Sequence, residues 1–413
     1  AAEPAAEPAA ATEITLWTYP IGKWGDEAAV KELTDGFTAA TGINVKVEYL
    51  AYADGDDKVN TAIAAGQAPD LVMEGPERLV ANWGANGHMV NIAELFDDTD
   101  KSEINPAALK ACFADDATAY EYPLCTVAHC MAINYTAFVE AGADQYIDLE
   151  TRTWSAEDFQ NAVKALTDKF GGPVAAVFCQ GQGGDQGTRA LVNNLCGGTF
   201  TNPEHTAYTW DDPKNIEALT ILKGLEGVTF DASIVGGGEM ELFRQGILKM
   251  AFCWNAAGNQ DVTMGNEPGK TIAGDEVVCM QFPTADGGNA VLQGGIWGFG
   301  IFNNGDDAKI DAAKEFIKYF CDGEGSVDGV VASSFFPART TAADGSIDMS
   351  KSAATDFHVE YGEKILPNLG DYYQVTKGWA GARTAWWNML QAVGGGADIE
   401  ATVADFCGQA NNG

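Results

Sequence analysis

A tryptophan and an arginine stand one helical turn apart near the carboxy-terminal end of the chain, in the run Trp379-Ala380-Gly381-Ala382-Arg383-Thr384-Ala385-Trp386-Trp387. The i,i+4 spacing places Trp379 and Arg383 on one helix face, a flat ring beside a planar hydrogen-bonding fork. With Tyr372 and Tyr373 just upstream, five large aromatics fall within sixteen residues. That combination suits a sugar, whose axial C–H groups form an apolar face while its hydroxyls demand polar partners. The competing reading makes these rings the core of an amphipathic helix, and for Trp386 and Trp387 both readings stand open.

The elements that must position such a site begin at Glu13-Ile14-Thr15-Leu16-Trp17-Thr18-Tyr19, an alternating strand running into a Gly-containing turn with Trp24. A helix is expected over 26–40, apolar at Ala29, Val30, Leu33 and Phe37 and stopped by Gly42. A strand over 43–50, a helix over 58–65 and a strand opening at Pro69-Asp70-Leu71-Val72-Met73 follow. This β-α-β-α-β order predicts an α/β fold with a parallel sheet, and ligands in such sheets bind beyond the carboxyl ends of the strands. The rule nominates Tyr19 to Trp24 after the first strand and Glu74, Glu77 and Arg78 after the third. For Glu77 and Arg78 the plainer alternative is a surface charge pair on the next helix.

Several motifs imitate other chemistry and fail on detail. Gly181-Gln182-Gly183-Gly184-Asp185-Gln186 places Gln186 where a dinucleotide fingerprint needs its third glycine, so it reads as a cleft loop. Gly265 to Thr271 approaches a phosphate loop, but Met264 stands where the first glycine belongs and Pro268 removes a backbone donor. Cys125 and Cys130 flank His129 without any Cys-x-x-Cys, and the chain has four histidines, so no metal is expected. Asp98-x-Asp100-x-Ser102 lacks the glycine of a calcium loop, and neither Gly-x-Ser-x-Gly nor His-Glu-x-x-His occurs. No cofactor is called for. Paired carboxylates of a secreted glycoside hydrolase remain the enzymatic rival.

The 413 residues suffice for two domains with cores of their own, and 46% hydrophobic with 20% charged residues is a globular composition. A net charge of −35 argues against nucleic acid, which attracts clusters of Lys and Arg. It suits a solvated acidic face, and a polyamine is the cationic ligand it would also admit. Nine cysteines in apolar settings such as Val177-Phe178-Cys179 are expected to be buried free thiols, in a reducing habitat or on an anaerobic cell surface. No apolar run approaches the roughly 18 residues of a membrane span. Residues 1–12 open with an Ala-Glu-Pro repeat that reads as a flexible tether, and the basic and apolar regions of a signal peptide are missing, as in a mature or trimmed chain.

Leu366-Pro367-Asn368 followed by Trp379-x-x-x-Arg383-Thr384-Ala385 resembles the carboxy-terminal part of maltose-binding-like extracellular solute-binding proteins of ATP-driven sugar importers. The start Leu16-Trp17, the Gly42-Ile43-x-Val45 strand, the Gly66-Gln67-Ala68-Pro69-Asp70 turn, Tyr120-Glu121-Tyr122-Pro123 and Gln293 to Ile301 carry the resemblance along nearly the whole chain. It implies a two-lobe periplasmic-binding-protein-like fold, each lobe a mostly parallel sheet flanked by helices, with the ligand cleft between lobes. Residues 13–125 plus 297–335 would form the first lobe and 129–293 plus 339–413 the second, with crossings near 125–129, 293–297 and 335–339.

The same resemblance implies that Trp379, Trp254 and Trp297 supply apolar faces to a sugar while Glu74, Glu77, Arg78, Asp185 and Arg383 meet its hydroxyls. Tyr19, Trp24, His129, Thr188, Arg189, Asn255 and Arg339 complete the implied ligand set. The implied role is that of a monomeric, non-enzymatic binder, extracellular by a lipoprotein tether or periplasmic, which delivers an oligosaccharide to membrane permease subunits. A polyamine or peptide ligand on the same fold is the alternative.

Overall fold

The computed structural model describes residues 12–52, 54–181, 184–235, 237–352 and 355–413; the expected tether over residues 1–11 lies outside them. The chain divides into two compact units, residues 1–125 with 296–352 and residues 126–295 with 353–413.

In the first unit the strand Glu13–Thr18 pairs in parallel with both Asn44–Tyr49 and Leu71–Glu74, as the β-α-β-α-β reading requires. The helix Glu27–Thr41 starts where Asp26 accepts the Ala29 amide and ends at Gly42, whose φ of 80° a side chain would resist. The strand Gly294–Ile301 adds antiparallel to Leu71–Glu74, and the sheet runs in the order Phe336–Pro337, Tyr122–Ala128, Gly294–Ile301, Leu71–Glu74, Glu13–Thr18, Asn44–Tyr49. Phe37, Phe299, Phe316 and Phe320 pack against one another beneath it, Phe316 edge to face with both Phe37 and Phe299.

The second unit departs from the mostly parallel sheet expected of each lobe. Its central strand Cys130–Asn134 pairs antiparallel with Met250–Trp254 on one side and Val277–Met280 on the other. The parallel pair, Ala175–Val177 with Val228–Phe230, forms a separate sheet. The reason is connectivity: Cys130–Asn134 follows Tyr122–Ala128 with only His129 between them, so the chain passes into the unit's middle and later strands return alongside it. The helix Ala156–Phe170 begins with the capping box foreseen at Ser155 and Asp158.

The stretch from Arg339 to Ser352, expected in the second lobe, packs in the first unit. Arg339 is 3% exposed and donates to Asp100 at 2.6 Å and to Asp322 at 2.8 Å, both first-unit carboxylates. A buried guanidinium cannot leave its counter-charges, which moves the last change of unit to after Ser352.

Candidate functional site

Two polar-aromatic clusters form, one in each unit. In the first, Leu71–Glu74 ends at Glu74 and the chain turns through Pro76–Arg78, so the carboxylates of Glu74 and Glu77 flank the Arg78 guanidinium. Arg78 lies 3.4 Å from Glu74, 3.2 Å from Glu77 and 2.7 Å from Asp56 on the preceding helix. Tyr19 donates its hydroxyl to Asp56, stacks on Tyr52 at 5.2 Å and sits under Arg78 at 5.1 Å. Gly55 permits this approach, because a Cβ there would stand 2.7 Å from the Tyr19 ring.

Glu74 is 1% exposed, and burial pushes its carboxyl up to about 7 against the opposing pull of Arg78. Glu121, fully buried with both carboxyl oxygens unpartnered, is raised well above the carboxylate range by burial and by Glu77 and Glu74. Burial thus favours its neutral form, in which a buried carboxyl costs least.

In the second unit the helix Asp185–Cys196 approaches the strand Met250–Trp254 so closely that a Cβ on Gly187 would meet the Phe252 carbonyl at 2.3 Å. This seats Asp185 at the helix start, where it receives Arg383 Nε at 2.6 Å and Nη2 at 2.7 Å while Arg189 Nη1 also donates to it. Burial alone would raise the Asp185 carboxyl, but the two guanidiniums hold it well below the usual range. Arg189 donates Nε to the Tyr373 hydroxyl at 2.9 Å and lies over the Trp379 ring at 4.9 Å. His129 faces Gln186 at 3.4 Å and Asn255 at 3.5 Å; burial, with Arg189 adding, pushes it down to about 4, so it is neutral.

A sequence model described as Bacterial extracellular solute-binding protein matches residues 22–321. The chain belongs to that family. Its members are receptors rather than enzymes, acting outside the cell. No curated protein matches this solute-binding protein. Among solved structures it is similar to an ABC substrate-binding protein from Listeria monocytogenes in complex with cycloalternan, at 20% identity and a TM-score of 0.76 over 97% of this chain and 98% of that one. It is also similar to maltose-bound MalE3 of T. maritima, at 17% identity and a TM-score of 0.74 over 97% and 100% of the chains. A maltose/maltodextrin-binding domain from Bdellovibrio bacteriovorus bound to maltotriose matches at 13% identity and a TM-score of 0.71 over 97% and 99%. At these identities the likeness establishes the periplasmic-binding-protein fold.

Of the residues singled out in the sequence, the solute-binding protein brings Tyr19, Glu74, Glu77 and Arg78 together in one cluster and His129, Asp185, Arg189, Asn255, Trp379 and Arg383 in the other. Five assignments are corrected. Trp24 is fully buried between Phe299 and Phe320 and donates to the Gly329 carbonyl, so it is core. Trp254 is equally core: it packs on Phe243, donates to Asn259 and carries Arg244 over its ring. Thr188 turns its hydroxyl back to the Asp185 carbonyl. Arg339 belongs to the Asp100–Asp322 network rather than to a ligand set. Asp185 is no hydroxyl acceptor: it is fully buried and already receives three N–H groups from Arg189 and Arg383.

Trp379 is 5% exposed and packs against Phe200 and Tyr373, while Trp386 packs on Phe200 and Trp210, so for Trp386 the core reading holds. Trp387 is half-buried. Trp297 is half-buried and stacks on Phe335 at 4.7 Å. Sequence reasoning missed Tyr52, Asp56, Gln186 and Gln374. Tyr52 lies in the turn before the helix Gly55–Ala64 and Asp56 in its first turn, where no recognisable motif stands, and the amides carry no signal in sequence. Among the described residues no group of acids, histidines and cysteines could hold a metal ion, and no helix is long and apolar enough to cross a membrane.

Proposed function

We propose that this solute-binding protein captures an oligosaccharide outside the cell and delivers it to the permease of an ATP-driven importer. The observation that carries the reading is the first-unit cluster: a guanidinium fixed by Asp56, Glu74 and Glu77 beside the paired rings of Tyr19 and Tyr52. Fixed donors and acceptors next to aromatic surface serve a ligand dense in hydroxyls, because each unmatched buried polar group costs about 1–3 kcal/mol. The cycloalternan, maltose and maltotriose complexes of the structural relatives support the same class.

In this reading Glu74, Glu77 and Arg78 meet one part of the sugar, and Arg383, His129 and Asn255 meet another. The chain crossings near 125–129 and 293–297 act as hinges, and a ligand that engages both clusters favours the closed form presented to the permease. A tether of residues 1–12 to a lipid-anchored position and a monomeric state belong to the same proposal.

Thermal-shift titration of the purified chain against mono- and oligosaccharides, polyamines and short peptides tests it, since a native-state ligand raises the midpoint by mass action. A rise with an oligosaccharide class that is recovered intact supports the reading. A rise with polyamines alone would assign the carboxylate-rich first cluster to cations and overturn it.

A further inference from the structure

The charges of the second-unit cluster do not balance. Two guanidiniums, Arg189 and Arg383, converge on the single carboxylate of Asp185, and the side chains are 0%, 12% and 0% exposed respectively. His129 beside them is neutral and adds no negative charge. The other partners of Arg189 are the neutral Tyr373 hydroxyl and the Gln374 amide. A buried positive charge without its counter-ion is costly, and such charges are ordinarily paired.

Unused donors remain at the same place. Arg383 spends Nε and Nη2 on Asp185, which leaves Nη1. One helical turn earlier in the helix Trp379–Gly394, Trp379 Nε1 is buried without an acceptor among the described residues. An uncompensated positive charge and an orphaned N–H within one turn call for a ligand group that is anionic and rich in acceptors.

We propose that Arg383, with Trp379 one turn away and the charge of Arg189 behind it, binds a carboxylate of an acidic oligosaccharide, so that the solute is a uronate-containing rather than a neutral sugar. The Nη1 edge of Arg383 receives the carboxylate while Asp185 holds the guanidinium through Nε and Nη2. The inference rests on the sugar-binding reading above and narrows its substrate class.

The test is calorimetric titration with oligogalacturonates, oligomannuronates and oligoglucuronates of matched length, each against its methyl ester, which keeps the skeleton and removes the charge. Neutral maltooligosaccharides complete the series. The expected result is that at least one acid binds about ten-fold or more tighter than its ester. Arg383→Gln should abolish that difference and Arg383→Lys should retain part of it, with circular dichroism showing both variants folded. If Arg383→Gln does not fold, the acid-to-ester ratio of the unmodified protein decides alone. Binding of a neutral sugar or an ester as tightly as any acid overturns the acidic class and leaves the sugar reading intact. Absence of binding to every sugar, charged or neutral, overturns both.

Discussion

The carboxylate of Asp185 holds the guanidinium of Arg383 in a two-pronged pair, at 2.6 and 2.7 Å, across 198 residues of sequence. The same carboxylate accepts from Arg189 one helical turn away, so one buried acid fixes two arginines. Asp185→Ala should therefore cost stability on the order of 3–5 kcal/mol, the range for a buried pair stripped of one partner. Urea denaturation checks it; a loss under about 1 kcal/mol would mean the arginines find other partners.

Trp254 is 2% exposed, and its ring and N–H are both satisfied inside the second unit. Trp254→Ala is expected to lower stability by about 3–5 kcal/mol. Trp254→Phe, which keeps most of the packing, should leave ligand affinity within about two-fold. A large loss of affinity in a stable Trp254→Phe protein would return this residue to the site.

Arg78 pairs with the carboxylates of Asp56, Glu74 and Glu77. Arg78→Met should weaken ligand binding by roughly ten-fold or more, since it removes the charged donor that three carboxylates share. Titration of the variant with the ligand found by thermal shift measures this, and unchanged affinity would place the cluster outside the site.

Glu239 is buried, and burial raises its carboxyl to about 7 despite the Phe252 and Cys253 amides that donate to it. The folded protein thus holds a proton that the unfolded chain releases near the ordinary glutamate value. This contribution to stability is fully present below the unfolded pKa and is lost as pH rises through about 7. The loss is on the order of 3 kcal/mol for this group. Glu239→Gln, which keeps one acceptor oxygen and removes the titration, should flatten the fall in stability between about pH 5 and pH 8. An unchanged slope would show that other acids dominate it.

All nine cysteines are free thiols, eight of them buried and Cys196 half-buried. A thiol reagent should label the native protein rapidly at Cys196 alone and reach all nine only in denaturant. Rapid labelling of several thiols without denaturant would contradict this packing.

The sequence by itself determined the first unit's β-α-β-α-β start, the Asp26 and Gly42 ends of its helix, the capping box at Ser155 and the apolar settings of the cysteines. Those features depend on near-neighbour spacing, on caps and on side-chain polarity, all of which are written locally. The residue types at Glu74, Glu77, Arg78 and Arg383 were legible for the same reason. Tertiary structure alone decided that Trp24 and Trp254 are core, that Asp56 completes the Arg78 cluster and that Asp185 is spent on arginines. A tryptophan at a strand end has the same local pattern whether it faces a ligand or Phe243, and only packing partners far along the chain tell the two apart. The antiparallel sheet of the second unit was hidden in the same way, because strand direction follows from where the chain returns and not from the alternation within any one strand.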